Sequence, residues 1–134
     1  MRRGESKLKD AAAQVLDRFS LRGKAAVVVG GTRGLGQAMA LALAGAGADV
    51  CVVGRGPEGL EETAGMLSAL GSDAASISAD ATREEQVVSM VEQVHERYGK
   101  IDVLVNSQGT VHLEPSAGFS ETGRGSSDQG NFAI

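Results

Sequence analysis

The chain has 134 residues, of which 42% are apolar and 3% aromatic, and a formal net charge of −4. This length allows one small domain, whose core must be built mainly from alanine, valine and leucine. The acidic balance argues against a nucleic-acid partner, and no apolar run reaches the roughly 18 residues of a membrane span. Cys51, the only cysteine, lies in an apolar run. We interpret it as a core residue without a disulfide or metal role, which fits a reducing cytoplasm.

An N-terminal extension, residues 1–20, precedes the first predicted strand. Within it, residues 5–19 carry apolar side chains at helical spacing, namely Leu8, Ala12, Val15 and Phe19. The pattern predicts an amphipathic helix. Two alternatives stay open: the helix packs on the domain or a neighbouring subunit, or it is a frayed extension.

Short apolar strands and helical patterns then alternate along the chain. The predicted strands are 25–29, 49–53, 74–78 and 101–105. Three helices are predicted between them. The first covers 34–46, and the second runs from Pro57 to just before Gly71. The third begins at a Thr82–Glu85 capping box and ends at Gly99. This alternation predicts an α/β fold with three crossover helices and a parallel sheet in strand order 3-2-1-4. Residues 112–134 have no period and predict an irregular tail.

A glycine-rich turn, Gly30-Gly31-Thr32-Arg33-Gly34-Leu35-Gly36, joins the first strand to the first crossover helix. Glycines let a ligand lie against bare backbone, and the first amides of a helix lack partners and carry partial positive charge. A phosphate is the expected guest. No Gly-Lys-Ser/Thr follows, which argues against a nucleoside-triphosphate P-loop, and the alternative is a tight turn that binds nothing.

The residues after the second strand indicate which cofactor is bound. In this fold an acidic residue there binds the ribose 2′-hydroxyl of NAD, whereas arginine suits the 2′-phosphate of NADP. Here the position holds Gly54-Arg55, and Arg33 in the glycine turn faces the same region. Two cations and a missing carboxylate favour NADP over NAD and count against an adenosyl-methionine methyltransferase. The alternative is that both arginines are simply solvated.

Three segments together resemble the short-chain dehydrogenase/reductase family over about residues 20 to 120. They are Val29–Gly36, Asp80, and Asp102–Gly109 with the sequence Asp-Val-Leu-Val-Asn-Ser-Gln-Gly. The family motifs are usually Thr-Gly-x-x-x-Gly-x-Gly and Asn-Asn-Ala-Gly. This chain departs from them with Val29 in the first and with Ser107 and Gln108 in the second. The resemblance implies a partial Rossmann fold, residues 21–111, that binds NAD(P).

The resemblance also implies a role for each matching residue. Gly30, Thr32, Arg33 and Leu35 would line the pyrophosphate together with the turn glycines Gly34 and Gly36, and Arg55 would contact the 2′-phosphate. Asp80 and Ala81 would flank the adenine, and Asn106, Gln108 and Gly109 would lie under the adenosine ribose, where the larger Gln108 could crowd it. Without the family, Asp80 is a strand-end residue and Asn106 a turn former.

The catalytic residues of the family have no counterpart in this sequence. Family members use a tyrosine, a lysine four residues later and a serine, and the lysine lowers the pKa of the tyrosine. The only tyrosine here is Tyr98, two residues before Lys100 at a predicted helix end, and we interpret it as a packing residue. His95 and His112 are interpreted as exposed bystanders. The catalytic half is therefore expected to be absent, which indicates a truncated or frameshifted product or a fragment.

The leading hypothesis is an NADP(H)-binding portion of an oxidoreductase that moves hydride between nicotinamide and a small hydroxyl or carbonyl compound. A weak similarity of residues 19–24 and 34–40 to sugar-acid dehydrogenases points to a sugar-acid-like substrate. The chain alone is expected not to turn over, to be marginally stable and to self-associate through the exposed edge of its fourth strand. The alternatives are a non-catalytic nucleotide-binding or assembly module and a defective product.

Overall fold

The computed structural model describes residues 2–109, and these residues form alternating helices and strands. The predicted tail and His112 lie outside this range. In chain order the elements are α1 (Arg3–Arg18), β1 (Ala25–Val29), α2 (Gly34–Gly45), β2 (Asp49–Gly54), α3 (Pro57–Ala69), β3 (Ala75–Ser78), α4 (Glu84–Tyr98) and β4 (Val103–Asn106). No helix in the described range is long and apolar enough to cross a lipid bilayer.

The four strands form one parallel sheet in the order β3-β2-β1-β4, which confirms the predicted topology. The central strand β1 pairs with both β2 and β4, and Val27 lies opposite Cys51 on one side and Leu104 on the other. All five residues of β1 are buried, as expected for a parallel strand covered on both faces.

Alternate residues of the central strands point to opposite faces of the sheet. Ala26 and Val28 join a cluster with residues of α2 and α3, whereas Val27 and Val29 join a second cluster with Met90 and Val94 of α4. The domain therefore has three layers, with helices on both faces of the sheet. Cys51 lies in the second cluster, and its burial raises the pKa of the thiol to about 12, so it is the core residue predicted.

Two local predictions differ from the structure. The predicted Thr82–Glu85 capping box is wrong. The N-cap of α4 is Arg83, whose side chain makes no capping hydrogen bond. The Thr82 hydroxyl does not cap the helix because it donates to the Asp80 carboxylate. The fourth strand starts at Val103, two residues later than predicted, since the side chain of Asp102 turns back to accept a hydrogen bond from the Ala25 N–H. The other boundaries agree within one or two residues, and Gly99 ends α4 with a φ of 75°.

The predicted N-terminal helix forms as α1, and none of its residues is buried. Leu8 and Leu16 are 73% and 70% exposed, and Phe19 just after the helix is 75% exposed. The apolar face of α1 therefore does not pack on the described part of the domain.

Candidate cofactor-binding site

The loops that follow the parallel strands meet at the carboxyl edge of the sheet. Gly30, directly after β1, donates to the Val53 carbonyl at 2.8 Å, and Ser107, directly after β4, donates to the Val29 carbonyl at 2.8 Å. Ala79, directly after β3, donates to the Gly54 carbonyl at 2.9 Å. These bonds bring the four segments predicted to bind cofactor to one edge of the domain.

The glycine turn needs glycine at its first and last positions for steric reasons. A Cβ at Gly36 would overlap the Gly30 carbonyl oxygen and lie 3.2 Å from the Ser107 Cβ. A Cβ at Gly30, where φ is 80°, would lie 2.8 Å from the Ser107 carbonyl oxygen. The turn therefore lies directly against the segment after β4, and Gly30 and Gly36 allow that approach.

The backbone amides of the turn make few bonds within the protein. Among the described residues, the N–H groups of residues 31–36 form no well-aligned hydrogen bond, and the first such bond is from Gln37 N–H to the Arg33 carbonyl at 3.3 Å. The first turn of α2 contains no acidic side chain. Unpaired amides at a helix N-terminus carry partial positive charge, so this geometry fits an anionic group such as a phosphate.

Two exposed arginines lie at the same edge of the sheet. Arg33 is the N-cap of α2, and Arg55 follows β2. Within the described range neither forms an ion pair with a carboxylate. Both guanidinium groups thus remain available for a phosphate, which they can bind through two parallel hydrogen bonds.

Thr32 is oriented differently from the exposed residues around it. A Cβ at Gly54 would lie 2.9 Å from Thr32 Cγ2, and a Cβ at Gly59 would lie 3.1 Å from Thr32 Cβ. The side chain is therefore turned toward the end of β2 and the start of α3.

Asp80 and Ala81 follow β3 on the Arg55 side of the site. Hydrogen bonds from the Thr82 hydroxyl at 2.6 Å and the Thr82 N–H at 3.0 Å hold the pKa of Asp80 below its usual range. Partial burial opposes this shift, and the positive charges of Arg55 and Arg83 add to it. Asp80 is thus an ionised carboxylate with a fixed orientation, and Ala81 packs against the α4-side core.

The segment after β4 has no regular structure. The Asn106 side-chain oxygen accepts a hydrogen bond from the Gln108 N–H at 3.4 Å, a local contact between residues two apart in the chain. Ser107 and Gln108 are half-buried, and Gly109 is exposed. Leu35, at the opposite wall, is 72% exposed. The residues that the sequence predicts to bind cofactor therefore all belong to segments that meet at the carboxyl edge of the sheet.

The residues considered for acid–base chemistry lie elsewhere. The Tyr98 hydroxyl donates to the Asp73 carbonyl at 2.8 Å, and Lys100 Nζ donates to the Gly23 carbonyl at 2.6 Å, both at the amino edge of the sheet. Burial raises the pKa of Tyr98 to about 12. Tyr98 is therefore a packing residue, as predicted, and His95 is exposed on α4.

Sequence reasoning missed two polar residues that support the turn. Gln37 Nε2 lies 3.4 Å from the Thr32 carbonyl oxygen and 3.1 Å from Thr63 Oγ1, and Thr63 is fully buried. The sequence signal for this pair is weak. Gln37 is a polar side chain in the otherwise apolar α2, and Thr63 is a polar side chain on the otherwise apolar face of α3.

A parallel sheet of this strand order, with a glycine turn at its carboxyl edge, defines a Rossmann-like dinucleotide-binding fold. Residues 24–126 match the family model described as short chain dehydrogenase. The chain belongs to the short-chain dehydrogenase/reductase family.

Individual relatives agree with this assignment. The chain is 40% identical over 107 residues to 2-dehydro-3-deoxy-D-gluconate 5-dehydrogenase of Escherichia coli, covering 80% of this chain and 42% of the relative. A solved structure of RhlG from Pseudomonas aeruginosa, an active-site complex with NADP, has a TM-score of 0.64 at 40% identity over 69% of this chain and 37% of that one. An NAD⁺-bound xylitol dehydrogenase has a TM-score of 0.66 at 34% identity over 67% of this chain and 35% of that one. The chain thus spans about two fifths of the length of these relatives.

Proposed function

We propose that this chain binds NADP(H) at the carboxyl edge of its sheet, as the cofactor-binding part of a short-chain dehydrogenase/reductase. The observation that carries the proposal is the run of backbone amides from residue 31 to residue 36, at the N-terminus of α2, that form no well-aligned hydrogen bond among the described residues. These amides would hold the pyrophosphate, with Gly30 and Gly36 permitting its close approach to the backbone. Asp80 and Ala81 would flank the adenine, and residues 106–109 would lie under the adenosine ribose.

The choice of NADP over NAD depends on charge. The residue after β2 is Arg55, and no carboxylate stands at the end of that strand to accept a ribose 2′-hydroxyl. Arg33 and Arg55 are exposed and without carboxylate partners in the described range, so a 2′-phosphate would gain two guanidinium contacts. The family includes complexes with either dinucleotide, so this preference comes from the residues of the present chain.

The chemistry supplied by the bound cofactor is hydride transfer at the nicotinamide ring. The substrate we propose is a small hydroxyl or carbonyl compound of the sugar-acid type, because a 40% identical relative is named for a sugar-acid dehydrogenase activity. The 134 residues contain no Tyr-x-x-x-Lys, and Tyr98 is used for packing. We therefore propose that the 134-residue chain binds NADP(H) without reducing or oxidising a substrate.

The test is a fluorescence titration of the 134-residue protein with NADPH and with NADH, alongside a dehydrogenase assay on sugar acids and simple alcohols. We expect saturable NADPH binding, at least tenfold weaker NADH binding, and no turnover. Equal affinities would contradict the NADP preference, and turnover would contradict the proposed inactivity. If neither nucleotide binds, the cofactor site itself is refuted.

We propose two further properties. The outer edge of β4 carries Leu104, which is 64% exposed, and the chain is proposed to self-associate there. The buried, unpaired Cys51 and the use of NADP(H) fit a cytoplasmic location.

A further inference from the structure

A single side chain connects the glycine turn to the helix that follows Arg55. Gln37 Nε2 donates to the Thr32 carbonyl at 3.4 Å and to Thr63 Oγ1 at 3.1 Å. Thr32 belongs to the turn and Thr63 to α3, so Gln37 bridges two segments that are 31 residues apart in the chain. This bridge is separate from the close contact of Gly30 and Gly36 with Ser107, which joins the turn to the segment after β4.

The anchor of this bridge is fixed by packing. Thr63 is fully buried on α3 between the core residues Leu60 and Leu67, which are 3% and 0% exposed. Its hydroxyl therefore has a defined position relative to the sheet. Because the Thr32 side chain also lies against Gly54 and Gly59, the turn is held on two sides by β2 and α3.

The contact with Thr32 has a geometric consequence for the next residue. The Thr32 carbonyl and the Arg33 N–H belong to one peptide group, which is trans in this structure, so the two bonds point in opposite directions. Gln37 holds the Thr32 carbonyl toward α3, and the Arg33 N–H consequently points away from α3. That N–H forms no well-aligned hydrogen bond within the described residues.

We infer that Gln37 is a positioning residue for the cofactor phosphates: it fixes the Thr32–Arg33 peptide so that the Arg33 amide faces the pyrophosphate, with Thr63 as its anchor. The inference deepens the proposed function and rests on it. Without the bridge, the turn keeps its glycines and the packing of the Thr32 side chain, but the Thr32–Arg33 peptide loses the side-chain hydrogen bond to its carbonyl. Binding then has to include the cost of ordering that peptide.

The experiment compares Gln37→Met with Gln93→Met in the full 134-residue chain. Methionine keeps the length and helix propensity of glutamine and removes the amide. Gln93 is the matched control, because it is exposed on α4 and its amide donates only to Ser89 Oγ, at 3.3 Å, among the described residues. The probes are NADPH, which carries the pyrophosphate, and 2′-AMP, which carries the 2′-phosphate without it.

We expect Gln37→Met to weaken NADPH binding about five- to tenfold, as for one lost hydrogen bond that binding requires. The affinity for 2′-AMP should change less than twofold, and Gln93→Met should match the parent with both probes. Thr63→Val, which removes the anchoring hydroxyl at constant volume, should weaken NADPH binding in the same selective way. The double variant should be no weaker than Gln37→Met by more than about twofold, because both changes remove one bridge.

Several results would overturn the inference. If Gln37→Met binds NADPH within twofold of the parent affinity, the positioning role is refuted. If the variant loses affinity for NADPH and 2′-AMP equally, Gln37 supports the fold in general and does not position the phosphates. If the far-UV circular dichroism spectrum of Gln37→Met differs from that of the parent, the variant is misfolded. The affinities for NADPH and for 2′-AMP are then compared between Thr63→Val and the parent instead. A parent chain that binds neither nicotinamide nucleotide refutes the proposed function and this inference together, whereas the other results leave the proposed function intact.

Discussion

The carboxylate of Asp102 accepts a hydrogen bond from the Ala25 N–H at 2.8 Å, and the Asp102 N–H donates to the Ala25 carbonyl, also at 2.8 Å. This pair joins the start of β1 to the residue that precedes β4. Lys100 Nζ, 3.0 Å from the same carboxylate oxygen, also donates to the Gly23 carbonyl. The amino edge of the sheet therefore satisfies its polar groups internally, whereas the carboxyl edge leaves amides free at the glycine turn.

We expect Asp102→Asn to lower the thermal unfolding midpoint at neutral pH, since it removes the charge that Lys100 contacts. Hydrogen bonds from Ala25 and Lys100 hold the pKa of Asp102 below its usual range. Its contribution to stability is therefore complete above the unfolded-state pKa of about 3.9 and is lost as the pH falls through the lower folded-state value. The midpoints of variant and parent should converge in acid. Glu92→Gln, at an exposed position of α4, is the control, and a gap that widens below pH 4 would contradict the assignment.

Gly36→Ala should displace the glycine turn from the segment after β4. The added methyl overlaps the Gly30 carbonyl oxygen, and overpacking of this kind costs about 1–3 kcal/mol of unfolding free energy. NADPH affinity should fall at least tenfold. Gly65→Ala is the matched change in the middle of α3, where nothing lies within 4 Å, and should stabilise the protein by about 0.5–1 kcal/mol. Urea denaturation and NADPH titration measure both effects, and a neutral Gly36→Ala would show that the close approach is unnecessary.

Replacing either arginine of the site should change cofactor preference more than fold stability. Arg33→Ala and Arg55→Ala are each expected to weaken NADPH binding about tenfold, the effect of one charge-assisted contact, and to leave NADH binding nearly unchanged. Arg22→Ala removes an exposed arginine that contacts Gly47, far from the glycine turn, and should affect neither nucleotide. Parallel losses for NADPH and NADH would argue against a 2′-phosphate contact.

Tyr98→Phe should lower the unfolding free energy by about 1 kcal/mol, because it removes the hydrogen bond to the Asp73 carbonyl. Burial raises the pKa of Tyr98 to about 12, so the folded state retains a proton that the unfolded chain releases near pH 10. Stability of the parent is therefore lost as the pH rises above 10, and the gap between parent and variant should narrow there. NADPH affinity should not change, and a loss of binding in Tyr98→Phe would indicate a role beyond packing.

Leu104→Lys tests self-association through the edge of β4. A lysine on an exposed edge strand opposes pairing with another strand, so sedimentation velocity should show a shift toward monomer. Leu70→Lys, at a 51% exposed position after α3, controls for the added charge. Identical sedimentation of parent and Leu104→Lys would exclude this edge as the contact.

Much of this protein follows from its sequence alone. Three consecutive valines before a glycine turn, followed by a helical pattern, were enough to predict a parallel strand, a phosphate-binding loop and a crossover helix. The repeat of that unit predicted the strand order. These features are local, because hydrophobic period and glycine conformation depend on residues close together in the chain.

The tertiary structure decided which polar groups pair across the chain. Thr82 matched the capping pattern, yet its hydroxyl contacts Asp80, and Asp102 turns from the predicted strand to Ala25. The Gln37–Thr63 bridge and the packing of the Thr32 side chain against Gly54 likewise depend on α2, α3 and β2 meeting in space. A side-chain hydrogen bond is directional and short-ranged, so its partner is fixed only once packing has brought distant segments together.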